Sequence, residues 1–128
     1  MSDVSTSAVA PCPPRFRVLT VCTGNLYRSP LAERLLRERL AAAGEVIQVS
    51  SAGTRAVPDA RRPDEAARFT GEGGEGDGAV TRRLSAGLVQ GADLVLGAAT
   101  EHREAAVRLA PAWALSRAFS LREFARLV

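Results

Sequence analysis

Residues 21–30 read VCTGNLYRSP and directly follow a short apolar run. The β-branched and apolar residues of that run predict a buried strand over 17–21. Ser29 and Pro30 are typical of a helix start, because serine favours the N-cap and proline the first helical position. The stretch therefore predicts a strand, a loop and a helix, with Cys22 at the end of the strand.

The segments beyond this stretch continue the alternation of strands and helices. Further strands are predicted at 47–50, 92–97 and 118–120, and helices at 30–43 (ended by Gly44), 65–69, 81–90, 101–109 and 121–128. This alternation favours an α/β fold with a parallel sheet and helices on both faces. Right-handed crossovers would bring the ends of the first and third strands together at one edge of the sheet.

The last nine residues, SLREFARLV, predict the start of a helix. Ser120 and Glu123 have the spacing of a capping box, and Leu121 and Phe124 begin an apolar stripe. Only the first helix is otherwise available for one face of the sheet. We therefore expect an exposed apolar surface beside the first helix, which a partner or a second copy of the chain would cover.

Length and composition limit the class of protein. A chain of 128 residues suits one core, which we expect over 16–128 after a disordered arm at 1–15. No apolar run approaches the ~18 residues that a membrane span needs. The N-terminus has neither the basic nor the hydrophobic region of a signal peptide. We expect a cytoplasmic protein with no membrane partner.

Residue counts exclude several kinds of site. Two cysteines and one histidine cannot supply a Cys/His zinc tetrahedron, and we expect no disulfide between Cys12 and Cys22 in the cytoplasm. The absence of lysine excludes a Walker-type nucleotide loop. The sequence also lacks the Gly-x-Ser-x-Gly motif, which excludes a serine hydrolase of the type that uses it. Aromatic residues are few, so we expect no nucleic-acid partner. Neither a metal nor a cofactor is predicted.

The loop after Cys22 has the parts of an anion site. Its backbone N–H groups and the helix N-terminus behind it favour a dianion such as phosphate. Gly24 permits a left-handed backbone, and Asn25 tolerates one. Arg28 can contact two phosphoryl oxygens through its planar guanidinium group. The same positive field would stabilise a negative sulfur on Cys22.

These parts predict covalent phosphoryl transfer. The thiolate of Cys22 would attack phosphorus, Arg28 would hold the charge, and Ser29 could donate its hydroxyl to the sulfur. Water would then hydrolyse the cysteinyl-phosphate. The predicted phosphate-binding residues are consecutive: Thr23, Gly24, Asn25, Leu26, Tyr27 and Arg28.

The stretch VCTGNLYRSPLAERLL closely resembles the phosphate loop and first helix of the low-molecular-weight protein tyrosine phosphatases. SAGT at 51–54 and ADLVLGAATEHR at 92–103 are similar to two further motifs of that family. The resemblance implies a three-layer, flavodoxin-like fold with four parallel strands in the order 2-1-3-4. It also implies hydrolysis of phosphotyrosine in proteins, with Cys22 as nucleophile and Arg28 as charge clamp. The expected substrates are phosphorylated proteins or small aryl phosphate esters.

Three departures from the family pattern affect the prediction. Tyr27 occupies the place of a second loop cysteine that many members carry. A family histidine that braces the loop asparagine aligns with Ala79, so we expect Asn25 to be held less firmly. The family's general acid is an aspartate in an Asp-Pro segment followed by a C-terminal helix, and this chain contains no Asp-Pro pair.

Two alternatives follow from these departures. One is a pseudophosphatase that binds phosphate or phosphotyrosine but has lost the general acid. The other is a small-molecule phosphatase or transferase with the same loop. An arsenate-reductase-like protein is less well supported, because that chemistry needs resolving cysteines and none follows Cys22.

Acidic residues outside the loop receive structural interpretations. Asp59 and Asp64 each follow a proline and could reach the cleft as general acids, but we expect both to be solvated. Asp93 opens a predicted strand and is interpreted as structural. Glu33 lies on the charged face of the first helix and is expected to be exposed.

The histidine and the larger aromatic residues are also given structural roles. His102 lies in the first turn of a predicted helix, and we expect it to be exposed and not catalytic. Trp113 and Phe119 are expected in the core or at its edge. None of the three is predicted to belong to the site.

Overall fold

The computed structural model describes residues 15–43, 46–62 and 80–128. Its strands are β1 Phe16–Cys22, β2 Ile47–Gly53, β3 Leu94–Gly97 and β4 Ala118–Ser120. Its helices are α1 Arg28–Arg39, α2 Ala86–Gln90, α3 Thr100–Leu109, α4 Pro111–Ala114 and α5 Leu121–Leu127, with a 3₁₀ turn at Ala41–Ala43. The predicted arm, apart from Arg15, and the predicted helix at 65–69 lie outside the described residues.

The strands form one parallel sheet in the order β2-β1-β3-β4, as predicted. β1 lies in the middle and is buried from Val18 to Cys22, which explains its unbroken apolar sequence. Cys22 pairs with Gly53 at the end of β2, and Val21 pairs with Gly97 at the end of β3. The loop after β1 therefore emerges between the ends of its two neighbours.

Side chains alternate between two cores on the two faces of β1. Leu19 and Val21 belong to one core, which packs against α2, α3 and α4. Alanines supply much of the helical side of this core, and their small size lets the helices lie close to the sheet: Ala106, Ala110 and Ala114. Val18 faces the other way, towards α1 and α5. The predicted layers on both faces are confirmed.

The face beside α1 is partly covered by α5. Leu121 and Phe124 of α5 pack, together with Leu36 of α1, against a small buried cluster on the sheet. The capping box that starts α5 is confirmed, because Ser120 Oγ accepts from Glu123 N and Glu123 Oε1 accepts from Ser120 N, both at 3.1 Å. The helix side chains on this face stay only partly buried. Their coverage by a partner or second copy remains a prediction.

Two helix starts differ from the sequence prediction. Tyr27 is the N-cap of α1, so Ser29 and Pro30 occupy the second and third helical positions. The hydroxyl of Ser29 points instead towards Cys22 Sγ. The predicted helix at 81–90 begins only at Ala86, because the preceding residues run beside β2 and hydrogen-bond to it.

Glu33 is buried, so the prediction that it is exposed was wrong. Its Oε2 lies 2.6 Å from Nη2 of Arg37, one turn further along α1. The same Nη2 donates to the carbonyl of Val49 at 2.8 Å. Because Arg37 reaches across to β2, it draws the carboxylate of Glu33 against the sheet.

Asp93 and Trp113 have the predicted structural roles. Asp93 Oδ2 accepts from the backbone N–H of Arg17 at 2.8 Å, and that hydrogen bond holds the pKa of the carboxyl below its usual value. Trp113 is half-buried and donates to the carbonyl of Ala92 at 2.7 Å. Within the described ranges, no helix has the length and apolar content to cross a bilayer.

Gly53 allows the loop after β1 to pass close over β2. A Cβ at this position would lie 2.5 Å from the carbonyl oxygen of Thr23 and 2.7 Å from the backbone nitrogen of Asn25. Both atoms belong to backbone that cannot move away without deforming the loop. The requirement for glycine here is therefore steric.

We predict that Gly53→Ala lowers the free energy of unfolding by about 1–3 kcal/mol and weakens phosphate binding. Gly87→Ala is the matched control, because its Cβ would have no neighbour nearer than 3.9 Å and alanine favours a helix. Urea unfolding with and without phosphate measures both effects. Equal unfolding midpoints for the two variants would contradict the steric argument.

Candidate active site

The loop between β1 and α1 turns through Asn25, which has a φ of 57°. Asparagine is one of the few residues that tolerate this left-handed conformation. Gly24 could also have adopted this conformation, but its φ is not in the left-handed range. Among the described residues, Asn25 and Asp59 are the non-glycine residues with a positive φ. A Cβ on Gly24 would make only ordinary contacts at 3.6 Å with Leu26. The turn therefore depends on Asn25.

Cys22 lies at the floor of the loop, against the first turn of α1. Its Sγ is 3.0 Å from Oγ of Ser29, and both residues are buried. Ser29 Oγ also accepts from Asn25 Nδ2 at 2.9 Å, and its hydroxyl is within donating distance of the Ala52 carbonyl at 3.3 Å. The single hydroxyl proton of Ser29 can thus be donated either to that carbonyl or to the sulfur of Cys22.

The side chain of Asn25 is fully buried and has partners on both of its polar atoms. Nδ2 donates to Ser29 and to Ser51 Oγ, each at 2.9 Å. Oδ1 accepts from Arg62 Nη2 and from the backbone N–H of Arg82, also at 2.9 Å. Arg62 Nε donates to the Asn25 carbonyl at 2.7 Å, and this arginine is itself buried. The expectation that Asn25 is loosely held was wrong, because Arg62 braces it.

His102 packs against the other side of the loop, at Thr23. It is 1% exposed, so the prediction that it is exposed was wrong. Its Nδ1 accepts from the backbone N–H of Ala99 at 3.0 Å, which leaves the proton on Nε2. Nε2 then donates to Thr23 Oγ1 at 3.0 Å, and Arg28 Nη2 lies 3.4 Å from the same oxygen. Thr23 thus accepts from two side chains.

The loop presents backbone N–H groups to the space that Arg28 borders. No acceptor in the described part of the chain meets the N–H groups of Gly24, Leu26, Arg28 or Ser29. Tyr27 and Arg28 are exposed, whereas Cys22 and Asn25 are buried beneath them. Unpaired N–H groups at a helix start attract an anion, so the loop has donors available for one, and the assignment of residues 23–28 to phosphate binding remains a prediction.

Residues 17–126 match the family described as low molecular weight phosphotyrosine protein phosphatase. The chain belongs to this family. Its four parallel strands and its helices on both faces are those of the flavodoxin-like fold that the family has.

The similar proteins include a tyrosine phosphatase and an arginine phosphatase. The low molecular weight protein-tyrosine-phosphatase Etp of Escherichia coli K12 is 38% identical over 98 residues, which are 73% of this chain and 62% of Etp. A protein-arginine-phosphatase of Bacillus subtilis is 33% identical over 87 residues, 68% of this chain and 58% of that protein. This chain therefore spans less than two thirds of the length of either relative.

A solved structure of the family contains phosphate. The tyrosine phosphatase Wzb of Escherichia coli K30, in complex with phosphate, superimposes with a TM-score of 0.66 at 30% identity. The match covers 81% of this chain and 69% of Wzb.

Of the two candidate general acids, the structure describes only Asp59, and this residue does not join the loop. Asp59 is exposed, with a φ of 58°, and among the described residues no hydrogen bond or ion pair connects its side chain to the loop. Asp64 lies outside the described residues, as do Cys12 and Ala79. In the described part of the chain, no group of three His, Cys, Asp or Glu side chains is placed to hold a metal ion.

Sequence reasoning missed three residues that shape the loop: Arg62, Arg82 and His102. Both arginines are among 17 in the chain, and neither stands in a motif that distinguishes it from the others. His102 is the single histidine of the sequence and begins a helix that follows β3, next to the predicted end of the sheet. That position was a usable signal, because the ends of β1 and β3 are neighbours.

His102 makes stability depend on pH. Burial, and secondarily the charge of Arg28, lower its pKa from 6.5, while Glu101 opposes them weakly. The unfolded chain therefore binds a proton at a higher pH than the folded protein. Stability is fully present above pH ~6.5 and is lost as the pH falls through the lowered pKa.

We predict that His102→Gln flattens this dependence, since glutamine can still donate to Thr23 but does not titrate. Urea unfolding between pH 5.5 and 8, a range we choose to stay above most carboxyl pKa values (~4), measures it. The sequence has no other histidine, so no second imidazole can confuse the result. Parallel pH profiles for the two proteins would contradict this account.

We also predict that Arg62→Gln destabilises the fold by about 2–3 kcal/mol, because Asn25 loses charge-assisted hydrogen bonds in a buried position. Phosphate should then raise the melting temperature less than it does in the unmodified protein. Arg61→Gln is the control, since Arg61 is exposed and should change stability by less than ~0.5 kcal/mol. Similar effects of the two substitutions would show that Arg62 does not brace the loop.

Proposed function

We propose that this protein hydrolyses phosphomonoesters through a cysteinyl-phosphate intermediate, with protein phosphotyrosine as the substrate. One observation carries the proposal: Cys22 Sγ lies 3.0 Å from Ser29 Oγ, below a loop with unpaired N–H groups and Arg28 at its edge. A nucleophile, an anion cradle and a charge clamp are therefore within one continuous segment. Membership of the phosphatase family supports the same reaction.

The first step transfers the phosphoryl group to sulfur. The Cys22 thiolate attacks phosphorus, a sulfur–phosphorus bond forms, and the bond between phosphorus and the ester oxygen breaks. The leaving oxygen takes the electron pair and needs a proton. The loop N–H groups and Arg28 stabilise the charge that spreads over the phosphoryl oxygens.

The second step releases phosphate. Water attacks phosphorus, the sulfur–phosphorus bond breaks, and the electron pair returns to Cys22 as thiolate. The hydroxyl of Ser29 is placed to donate to that sulfur and so stabilises it as a leaving group. No redox change occurs, and the products are inorganic phosphate and the free hydroxyl compound.

The rate of the first step depends on the leaving group when no aspartate of an Asp-Pro segment protonates it. Tyrosine has an unperturbed pKa near ~10, so its phenolate leaves slowly unless it is protonated. Loss of a general acid typically costs about 10²–10⁴-fold in rate. An aryl phosphate with an acidic phenol needs that proton much less.

We predict that the rate of the 128-residue protein rises steeply with the acidity of the leaving phenol. A series of substituted phenyl phosphates, with phosphotyrosine and phosphoarginine as further substrates, measures the dependence. Cys22→Ser is the control that should bind phosphate without turnover. A flat dependence with rapid phosphotyrosine hydrolysis would mean that an acid is present, and Asp59→Asn and Asp64→Asn would then locate it.

A second candidate function is supported by Asp59, whose side chain has no hydrogen bond or ion pair with the loop among the described residues. A pseudophosphatase would retain the cradle and bind phosphate or phosphotyrosine without hydrolysis. Measurable phosphate binding with no turnover of any ester would favour it over the enzyme. Phosphoarginine turnover that exceeds aryl phosphate turnover would instead favour the activity of the arginine phosphatase relative.

A further inference from the structure

A cleft of about 730 Å³ opens beside the loop and shares Thr23 with it. Its volume is in the range of ~300–1,000 Å³ that is typical of ligand sites. Arg55, Arg83 and Arg108 line this cleft, which we call the arginine cleft. These three arginines add positive charge beside a loop in which Arg28 is already available for the transferred phosphoryl group.

Backbone hydrogen bonds fix one wall of the arginine cleft to the end of β1 and the loop, and a second wall to the end of β2. Arg55 N donates to the carbonyl of Thr23 at 2.9 Å, and the neighbouring Thr54 N donates to that of Cys22 at 2.9 Å. Leu84 N, next to Arg83, donates to the carbonyl of Gly53 at 2.8 Å. The cleft is therefore built onto the loop and keeps a constant position relative to Cys22.

The third wall is one face of α3. Glu101, Ala105 and Arg108 follow the spacing of three to four residues that places side chains on the same side of a helix. His102 lies beside them and contacts Thr23. The face of α3 that contacts the loop through His102 therefore also places Arg108 in the lining of the cleft.

The arginines of the cleft differ from the paired arginines elsewhere. Arg34 and Arg37 each form an ion pair with a glutamate of α1. Within the described ranges, the side chains of Arg55, Arg83 and Arg108 form neither an ion pair nor a hydrogen bond. Glu101 is the acidic residue among the lining residues and leaves a positive excess there.

We propose that the arginine cleft binds an anionic group that the substrate chain carries next to its phosphotyrosine, a carboxylate or a second phosphate. Guanidinium groups bind both of these in a bidentate manner. The proposal rests on the proposed function, because it assigns the cleft to the same phosphorylated polypeptide. It makes acidic phosphopeptides the favoured substrate class.

The test compares labelled phosphotyrosine peptides that differ only in the flanking residues, which are glutamate, glutamine or phosphoserine. Fluorescence anisotropy with the Cys22→Ser protein measures the affinities without turnover. At low salt we expect the glutamate peptide to bind about fivefold more tightly than the glutamine peptide, with the advantage falling as salt rises. The phosphoserine peptide distinguishes a second phosphate from carboxylates as the bound anion.

Arg83→Gln and Arg108→Gln, each combined with Cys22→Ser, should reduce the glutamate-to-glutamine affinity ratio to about twofold. Arg39→Gln is the matched control, because it lies at the other end of α1, roughly 16 Å along the helix from Arg28, and should leave the ratio unchanged. Equal affinities for the glutamate and glutamine peptides, or no binding of either, would overturn the proposal. An equal ratio in all three variants would do so too.

Turnover of an aryl phosphate by the unmodified protein is measured separately. This substrate has no flanking residues and therefore reports only on the loop. Failure of aryl phosphate turnover would count against the proposed hydrolysis, whereas the peptide affinities would still decide the role of the arginine cleft.

Discussion

The amide of Asn25, buried at the turn of the loop, is the interaction on which the site depends. Its backbone is left-handed, a conformation that costs free energy unless the surroundings compensate for it. Its side chain meets partners from three separate parts of the chain: Ser29 of α1, Ser51 of β2, and Arg62 with Arg82 beyond β2. One side chain therefore fixes the loop to the helix, the sheet and the segment that follows it.

The local part of this arrangement was predictable from sequence. Consecutive residues specify the strand, the loop and the helix, so the place of Cys22 at the end of β1 followed from short-range pattern. The exposure of Arg28 was not predicted. The order of the strands followed from the resemblance to the phosphatase family. The prediction that Ser29 is the N-cap was wrong, because Tyr27 holds that position, and the hydroxyl of Ser29 lies 3.0 Å from Cys22 Sγ instead.

The long-range part was not predictable, since it depends on contacts between residues far apart in the chain. Arg62 lies 37 positions beyond Asn25, and His102 lies 79 beyond Thr23. Because Lys is absent and the chain has 17 arginines, neither residue type nor charge identifies Arg62 as an arginine that is buried at the loop. Glu33 shows the same limit, because helical periodicity cannot reveal that Arg37 bridges to β2.

The protonation of His102 connects the cradle to the arginine cleft. A buried imidazolium would add a further positive charge beside Arg28, and the lowered pKa keeps the ring neutral instead. As a neutral donor, His102 orients Thr23, while Arg28 and the arginines of the cleft are exposed and carry positive charge that water stabilises until an anion arrives. Arg62 differs from them, because it is a buried cation whose guanidinium group donates to the carbonyl and the side chain of Asn25. His102 therefore shapes the site without adding a further buried charge, which would cost free energy unless it were paired.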